Sequence, residues 1–316
     1  MSLSWIKNIT RTEIHMQRTL GITFGRSEFK AVLISQSKKE TRVDWHKTIK
    51  LETLFFKGQP NTTHGDVLKS FLGKVSSLIQ DKFVRVQVFL PDAMALYGFY
   101  KVDSVPDTPA QCRQLACWRI GKQFHVQDRS WRCDYQIVGE QGQKTLMMAM
   151  AMEETWLTFI QDILYESGIL APIIDTRINH YFNQLDISIK QDSGAVIDLT
   201  EDYWTVMAWD NKGQPRFVRS CWRSKESIDH GDELIGMAQD IIESLLVYCN
   251  EATDTQISGI YILGAGHTER AMGEILNTHM TQVVKYFDLP LERGVDNENA
   301  VTTQTQIQSY AAAIPR

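Results

Sequence analysis

The sequence predicts an α/β protein of two lobes, with a small α+β subdomain inserted in the first lobe. Strand-like and helix-like segments alternate along the 316 residues, a pattern typical of sheets covered by helices. A strand, a tight turn and a second strand near the start recur about halfway along the chain. We therefore expect a leader over 1–18, a first lobe over 19–190 with its insertion at about 91–150, and a second lobe over 191–316.

Composition limits the classes of function. The chain is 43% hydrophobic and 22% charged with a net charge of −5, so nothing electrostatic predicts nucleic-acid binding. Its 5 cysteines form no CxxC and its 8 histidines lack ligand spacing, so we expect neither a disulfide framework nor a metal site. The start has no apolar signal segment, and no run approaches the roughly 18–20 apolar residues of a membrane span. We therefore expect a protein of the reducing cytoplasm.

The first lobe opens with strand signals around one helix. Runs rich in β-branched and aromatic residues predict strands over 19–24, 29–35, 41–49 and 83–90. Apolar residues at helical spacing predict a helix over 64–80. The leader is either a frayed segment, the simpler interpretation, or a short interfacial helix that contacts a membrane surface or a partner.

The insertion and the end of the first lobe contain further elements. A helix is predicted over 110–124, two strands joined by a glycine-containing turn over 131–152, a helix over 153–168, a strand over 169–175 and a helix over 176–185. Gly168 suits the position after a helix, and Asp175 is expected to cap the next helix rather than act as a base. The aromatic residues of this region are expected to pack in the core, with a groove for a partner peptide as the alternative. They are Trp118, Trp131, Trp156 and Tyr165.

The second lobe repeats the opening pattern. Strands are predicted over 195–200, 203–209, 215–222 and 257–263, and helices over 231–250 and 267–280. A glycine-rich turn joins the last strand to the last of these helices. A final short helix over 309–314 is expected to pack back on the first lobe.

The two hairpins overlay with a constant offset of 175 residues. Thr23 corresponds to Asp198 (198 − 23), and Lys30 corresponds to Thr205 (205 − 30). Two opposed turns of this kind present backbone N–H groups to phosphates from both sides. A glycine-rich turn allows close approach of a nucleotide, and an acidic residue on each hairpin would hold Mg²⁺ through water. The repeat therefore predicts a nucleotide cleft between the lobes.

Several segments in this order resemble a known family. They include "LGITFGRSEFKAVLI", "AVIDLTEDYWTVMAW", "IYILGAGHTERAMGEIL" and the closing "YAAAIPR". They are similar to the actin-like ATPase superfamily, whose fold is ribonuclease H-like. Within it they look most like the PilM-like proteins of type IV pilus assembly, especially the MSHA-type (MshI-like) relatives. The segments "QCRQLACWRIGKQFHVQDRSWRCDYQIV" and "GILAPIIDTRINHYFNQL" extend the resemblance, which covers the chain from about residue 19 to its end.

The resemblance implies a function and a partner. Members of this family are cytoplasmic and peripheral at the inner membrane. They bind the N-terminal cytoplasmic tail of a PilN-like inner-membrane protein and link it to the assembly ATPase. We expect the tail to lie between the first lobe and the inserted subdomain. The family also implies ATP with Mg²⁺ between the lobes as a structural ligand. A platform protein of type II secretion has a similar cytoplasmic region and is the alternative system.

The candidate cofactor-binding residues are those matched to the family's hairpins and glycine-rich turn. They are Gly25, Ser27, Lys30, Asp198, Thr200, Gly264 and Gly266. The chain departs from the family's Asp-x-Gly pattern, because Thr23 stands at the position of the first carboxylate and Thr200 replaces a glycine. No catalytic set follows from these residues.

The turns also carry charges that a nucleotide would meet. Glu28, Glu201 and Asp202 lie near the expected phosphates, and one like-charge pair at about 4 Å costs on the order of 4 kcal/mol. Arg26 or Lys30 could compensate by pairing with phosphate oxygens, although Lys30 could instead be solvated at a strand edge. We expect a degenerate cleft without hydrolysis; an active ATPase or a kinase of the same fold is the alternative.

Overall fold

The fold was analysed in a computed structural model that describes most of the chain. The described residues are 17–36, 41–79, 84–126, 130–171, 173–185, 188–223, 230–251, 256–264 and 266–287. The predictions for the leader up to residue 16 and for the helix over 309–314 fall outside these ranges. None of the helices in the described ranges is long and apolar enough to cross a membrane.

Strands and helices alternate through the described ranges. The strands are β1 (Gln17–Phe24), β2 (Glu28–Gln36), β3 (Thr41–Lys50), β4 (Val84–Leu90), β5 (Ala95–Val102), β6 (Trp131–Gln141), β7 (Lys144–Glu153), β8 (Ile173–Thr176), β9 (Gly194–Leu199), β10 (Tyr203–Trp209), β11 (Pro215–Trp222), β12 (Gly259–Leu263) and β13 (Val283–Phe287). The helices are α1 (Thr62–Ser76), α2 (Pro109–Phe124), α3 (Glu154–Glu166), α4 (Arg177–Gln184), α5 (His230–Glu251) and α6 (His267–His279). Two strands, β5 and β13, were not predicted from the sequence.

Two five-stranded sheets share one topology. The first has the order β3-β2-β1-β4-β8 and the second the order β11-β10-β9-β12-β13. In each sheet the first three strands pair antiparallel, and the last two continue parallel to the central strand. The two halves of the chain therefore build matching sheets. The exact lobe boundaries remain a prediction.

The registers of the two central hairpins match residue by residue. Thr23 pairs with Lys30 in the first, and Asp198 pairs with Thr205 in the second. These pairs are related by the same offset of 175 residues (198 − 23 and 205 − 30) that the sequence indicates. The predicted hairpin repeat is therefore confirmed in the pairing itself.

Each sheet buries an apolar face under helices. One core joins β1, β2 and β4 to α1 and α3, and a second joins β9, β10 and β12 to α5 and α6. The first core also extends across to the second sheet, because α4 carries Phe182, whose ring centroid lies 5.7 Å from that of Trp209. The two sheets are thus packed together through α4.

A third sheet, β5-β7-β6, lies in the inserted region with α2 against it. A disulfide joins Cys117 of α2 to Cys133 of β6, with the two Cα atoms 5.4 Å apart. The sequence predicted no disulfide framework, but this one pair is bridged. A helix and a strand that are separate in sequence face each other here, and no CxxC spacing is needed to bring them together.

The aromatic residues of this part of the chain divide between core and surface. Trp156 of α3 is 3% exposed and lies in the first core, as expected. Trp118 is 54% exposed and Tyr165 is 74% exposed, so the core expectation is wrong for both. They lie on the outward faces of α2 and α3, whereas Ile120 and Leu164 face inward.

Helix α3 ends as the sequence predicts. Gly168 has φ +72°, its N–H donates to the carbonyl of Tyr165, and the next N–H, of Ile169, donates to Leu164. These two bonds satisfy carbonyls that the helix leaves without partners. A residue with a Cβ is strained at this φ, although nothing crowds the position.

Gly168→Ala should lower the free energy of unfolding by about 1 kcal/mol because alanine must adopt a left-handed conformation. Gly73→Ala is the matched control: Gly73 lies within helical α1 with open space around it. That change should raise stability by up to about 1 kcal/mol. Urea denaturation measures both, and equal effects from the two changes would contradict this explanation of the turn.

Candidate functional site

The two repeated hairpin turns meet directly. The first turn is closed by the N–H of Gly25 donating to the carbonyl of Glu28 at 2.8 Å, and the second by Thr200 donating to Tyr203 at 2.9 Å. Across the interface, the N–H of Ser27 donates to Oδ2 of Asp202 at 2.9 Å. The turns are therefore the opposed pair that the repeat predicts, and we call the space between them the interlobe cleft.

The carboxylate of Asp202 lies against the backbone of the first turn. Asp202 is only 4% exposed. A Cβ at Gly25 would lie 2.9 Å from Asp202 Oδ2 and 2.7 Å from the carbonyl oxygen of Glu28. Only glycine leaves room for that carboxylate. The group that lies close to Gly25 is therefore the side chain of Asp202 and not a nucleotide.

The counterpart of Thr23 in the second hairpin is a buried, paired acid. Oδ1 of Asp198 lies 3.2 Å from Nη2 of Arg177, and the two side chains are 3% and 12% exposed. Burial raises the pKa of Asp198, while the charges of Arg177 and Lys30 act in the opposite direction. The hydroxyl of Thr23 is buried and has no hydrogen-bond partner among the described residues.

The remaining turn charges, apart from Glu201, contact partners within the chain. Lys30 forms an ion pair with Glu28, and its side chain is 12% exposed. The strand-edge alternative for Lys30 is therefore wrong, because β2 lies inside its sheet between β1 and β3. The guanidinium of Arg26 stacks over the ring of Trp222 at 5.3 Å. Of the three acidic turn residues, only Glu201 points to solvent.

Asp92 is a further buried acid at the same place, and sequence reasoning missed it. It follows β4 and is 0% exposed. Its Oδ1 accepts the N–H of Ile178 in α4 at 3.1 Å, and its Oδ2 accepts the hydroxyl of Thr205 in β10 at 3.0 Å. Burial, helped by the charge of Asp198, raises the pKa of Asp92 to about 7. This carboxyl therefore bridges the two sheets.

The sequence predicted that Asp175 caps α4, and this prediction is wrong. The N-cap position is Thr176, and its side chain makes no capping bond. Asp175 instead accepts from the N–H of Thr176 at 2.7 Å and from Nδ2 of Asn179 at 3.3 Å. The free amide of Ile178 in the first turn is satisfied by Asp92 from another segment, which a local sequence pattern cannot reveal.

The other candidate residues lie at the same edge of the second sheet. The hydroxyl of Thr200 is used within its own turn, where it accepts the N–H of Tyr203 at 2.9 Å. Because β12 runs parallel to β9, its carboxyl end reaches the same edge as that turn. Gly264 follows β12, and Gly266 is the N-cap of α6. The five hairpin candidates therefore cluster around the contact between the turns, and the two glycines reach that edge by a separate strand.

A second feature is an aromatic pocket of about 390 Å³. Its apolar walls come from the first lobe, the inserted region and the end of β11. They are Phe56, Met94, Trp131, Trp156 and Trp222. Nε1 of Trp156 donates to the carbonyl of Gly58 at 3.1 Å, whereas Nε1 of Trp131 is buried and has no partner among the described residues. The pocket is also lined by Gln59 and Glu153, and Nε2 of Gln59 donates to Oε1 of Glu153 at 2.9 Å, so it offers both apolar and polar surface.

Comparisons with known proteins identify the fold. No family model matches the sequence, and no curated protein matches it. A solved PilM–PilN type IV pilus biogenesis complex has a chain similar to this one with a TM-score of 0.72, at 12% identity, over 93% of this chain and 97% of that chain. A Bacteroides thetaiotaomicron protein with an actin-like ATPase fold and unknown function has a TM-score of 0.51 at 12% identity, over 87% and 93%. This chain has the actin-like ATPase fold.

A third solved structure has lower similarity to this chain. It is the cytoplasmic domain of EpsL, an inner-membrane component of the type II secretion system of Vibrio cholerae. Its TM-score is 0.50 at 10% identity, over 93% of this chain and 95% of that chain.

Within the actin-like fold, Asp92 and Arg177 complete the cleft although neither was a candidate. One signal could have found them. Each follows the end of a strand, β4 or β8, that runs parallel to β1, and polar side chains at such ends face the crevice of an α/β sheet.

Proposed function

We propose that this chain is a cytoplasmic adaptor of type IV pilus biogenesis, of the MSHA-like kind, peripheral at the inner membrane. It binds the N-terminal cytoplasmic tail of a PilN-like inner-membrane protein and connects that protein to the assembly ATPase. The observation that carries the proposal is the similarity to a PilM–PilN complex across 93% of this chain. In the proposed organisation, the first lobe covers 19–190, the subdomain about 91–150 and the second lobe 191–316.

We propose that the tail binds in the aromatic pocket. Met94 and Trp131 fall within the expected insertion and Phe56 and Trp156 fall outside it, which supports the proposal that the tail lies between these parts. An apolar side chain of the tail would pack against the aromatic rings of the pocket. Large aromatic side chains with one polar group commonly anchor peptides in this way.

We also propose that the interlobe cleft is degenerate as a nucleotide site. A phosphate group between the turns would meet the carboxylate of Asp202, which is held by the N–H of Ser27. Thr23 offers a hydroxyl where the family has an acid, and Asp198 is already paired with Arg177. These residues fit the phosphates of ATP and hydrated Mg²⁺ poorly, so we derive no chemistry from them.

Titration with a synthetic peptide of the PilN-like protein's N-terminal tail, encoded in the same genome, tests the adaptor function. Wild-type protein should bind it, and Trp131→Ala should weaken the affinity by at least about tenfold, the effect of a tryptophan hot spot. Trp118→Ala is the control, because this tryptophan lies on the exposed face of α2. Absence of wild-type binding would contradict the function, and an equal loss in both variants would contradict the pocket.

Two alternatives have specific support. The similarity to the EpsL cytoplasmic domain favours a platform role in type II secretion, and binding of that system's partner segment instead of the pilus tail would select it. An active ATPase or kinase is the other alternative, which the actin-like ATPase fold itself favours. In that case the residues expected to hold ATP and Mg²⁺ are Gly25, Ser27, Lys30, Asp198, Thr200, Gly264 and Gly266.

A further inference from the structure

We infer that the interlobe cleft is held closed by charged side chains of this chain, which take the place of a bound nucleotide. Two pairs join the two halves of the chain, and a third pair, within β2, occupies Lys30; we call the three pairs the clasp. They are Ser27–Asp202, Asp198–Arg177 and Lys30–Glu28. The inference rests on the proposed degenerate cleft. It goes further because it names the side chain that replaces the phosphate and the side chain that replaces the metal ion.

Asp202 supplies the anion. Backbone N–H groups of a tight turn form a favourable site for negative charge, and phosphates bind such turns in many proteins. Here the N–H of Ser27 donates to Asp202 Oδ2 at 2.9 Å, and a Cβ at Gly25 would lie 2.9 Å from the same oxygen. Asp202 belongs to the opposite hairpin, so its carboxylate binds one lobe to the other. A phosphate could enter this position only if that carboxylate left.

Arg177 supplies the cation. In an Mg²⁺-dependent cleft, an acid on the second hairpin would hold the hydrated metal ion. The acid of this chain, Asp198, faces a guanidinium at 3.2 Å instead, and the side chains of Asp198 and Arg177 are only 3% and 12% exposed. Buried charges persist only when they are paired, so Arg177 compensates a charge that the metal would otherwise balance. Lys30, the expected phosphate ligand, is likewise occupied by Glu28.

Neighbouring contacts join the clasp to the rest of the molecule. Asp92 bonds to α4 through Ile178 and to β10 through Thr205, so it connects the two sheets beside the clasp. The rings of Phe182 and Trp209 pack between the same elements. These contacts join the two lobes through residues of the chain itself. A protein closed in this way would present a constant surface to its partners.

Hydrogen–deuterium exchange of the full chain tests the clasp. The amide of Ser27 should be protected in wild-type protein, and Asp202→Ala should speed its exchange by at least about tenfold because the acceptor is removed. Glu201→Ala, in the same turn but exposed, should leave the exchange unchanged. Asp202→Asn keeps an oxygen acceptor without the charge and should give an intermediate rate, which covers the case in which the alanine variant fails to fold.

Millimolar Mg-ATP is the probe for the nucleotide. It should change neither the melting temperature nor the exchange of the Ser27 amide in wild-type protein. A rise in melting temperature with protection of both turns would overturn the clasp and the degenerate cleft together. Unchanged exchange in both Asp202 variants, without an effect of Mg-ATP, would overturn the clasp alone. Neither result bears on tail binding, which is measured separately with the peptide.

Discussion

Replacing Arg177 with Met should lower the free energy of unfolding by about 3–5 kcal/mol, the usual cost of leaving a buried charge without its partner. Asp198 is only 3% exposed at its side chain and accepts from the guanidinium of Arg177 at 3.2 Å. Methionine fills most of the volume but provides no charge. The carboxyl must then either remain ionised in an apolar environment or take up a proton, and both are unfavourable at neutral pH.

Chemical denaturation of a small set of variants measures this effect. The double variant Arg177→Met with Asp198→Asn should recover most of the loss, since it removes both charges together. Arg132→Met is the control: Arg132 pairs with Glu154 where both side chains are 42% exposed, and water screens such a pair so that it contributes little to stability. A loss at Arg177 no larger than that at Arg132 would show that the buried pair does not stabilise the cleft.

Asp92→Asn should remove a large pH dependence of stability. The ordinary pKa of the carboxyl is 3.8, and burial in the folded protein raises it to about 7. Between these values the folded protein binds the proton more tightly than the unfolded chain does. The contribution of Asp92 is therefore fully present below about pH 4 and is lost as the pH rises through 7. The pKa change corresponds to a loss of up to about 4 kcal/mol.

Asparagine suits this test because it preserves the hydrogen bonds. Its Oδ1 can accept from Ile178, and its amide can donate to the hydroxyl of Thr205, which then donates to Ser220 at 2.8 Å. Stability measured from pH 4 to 8 should fall less steeply in the variant than in wild-type protein. Asp103→Asn, at a site where the side chain is 86% exposed, should leave the slope unchanged. Parallel curves for wild type and Asp92→Asn would contradict the assigned pKa.

Much of the fold could be predicted because local sequence patterns determine its strands and helices. The hairpin around Gly25 has a copy 175 residues later, and the amphipathic helices show their buried faces as apolar residues at helical spacing. Strand β5 was not predicted because Gly98 interrupts it and glycine weakens a strand signal. Strand β13 was not predicted because it is short, lies at a sheet edge and exposes most of its side chains.

The candidate site was predicted only in part because its pairs join distant segments. The turns and their acids were visible, but the sequence could not show whether Asp202 faces solvent or the opposite turn. Asp92 contacts residues 86 and 113 positions away along the chain, and Arg177 contacts Asp198, which is 21 positions away. The disulfide between Cys117 and Cys133 has the same origin. Such contacts depend on tertiary packing, which periodicity does not encode.

The most direct test of the closed cleft is a crystal structure of the full chain grown in millimolar Mg-ATP. The space between the turns should contain no phosphate. The N–H of Ser27 should still donate to Asp202 at about 2.9 Å, and Arg177 should still contact Asp198. Density for a triphosphate between the two hairpins, with the Asp202 carboxylate turned away from Ser27, would contradict the clasp.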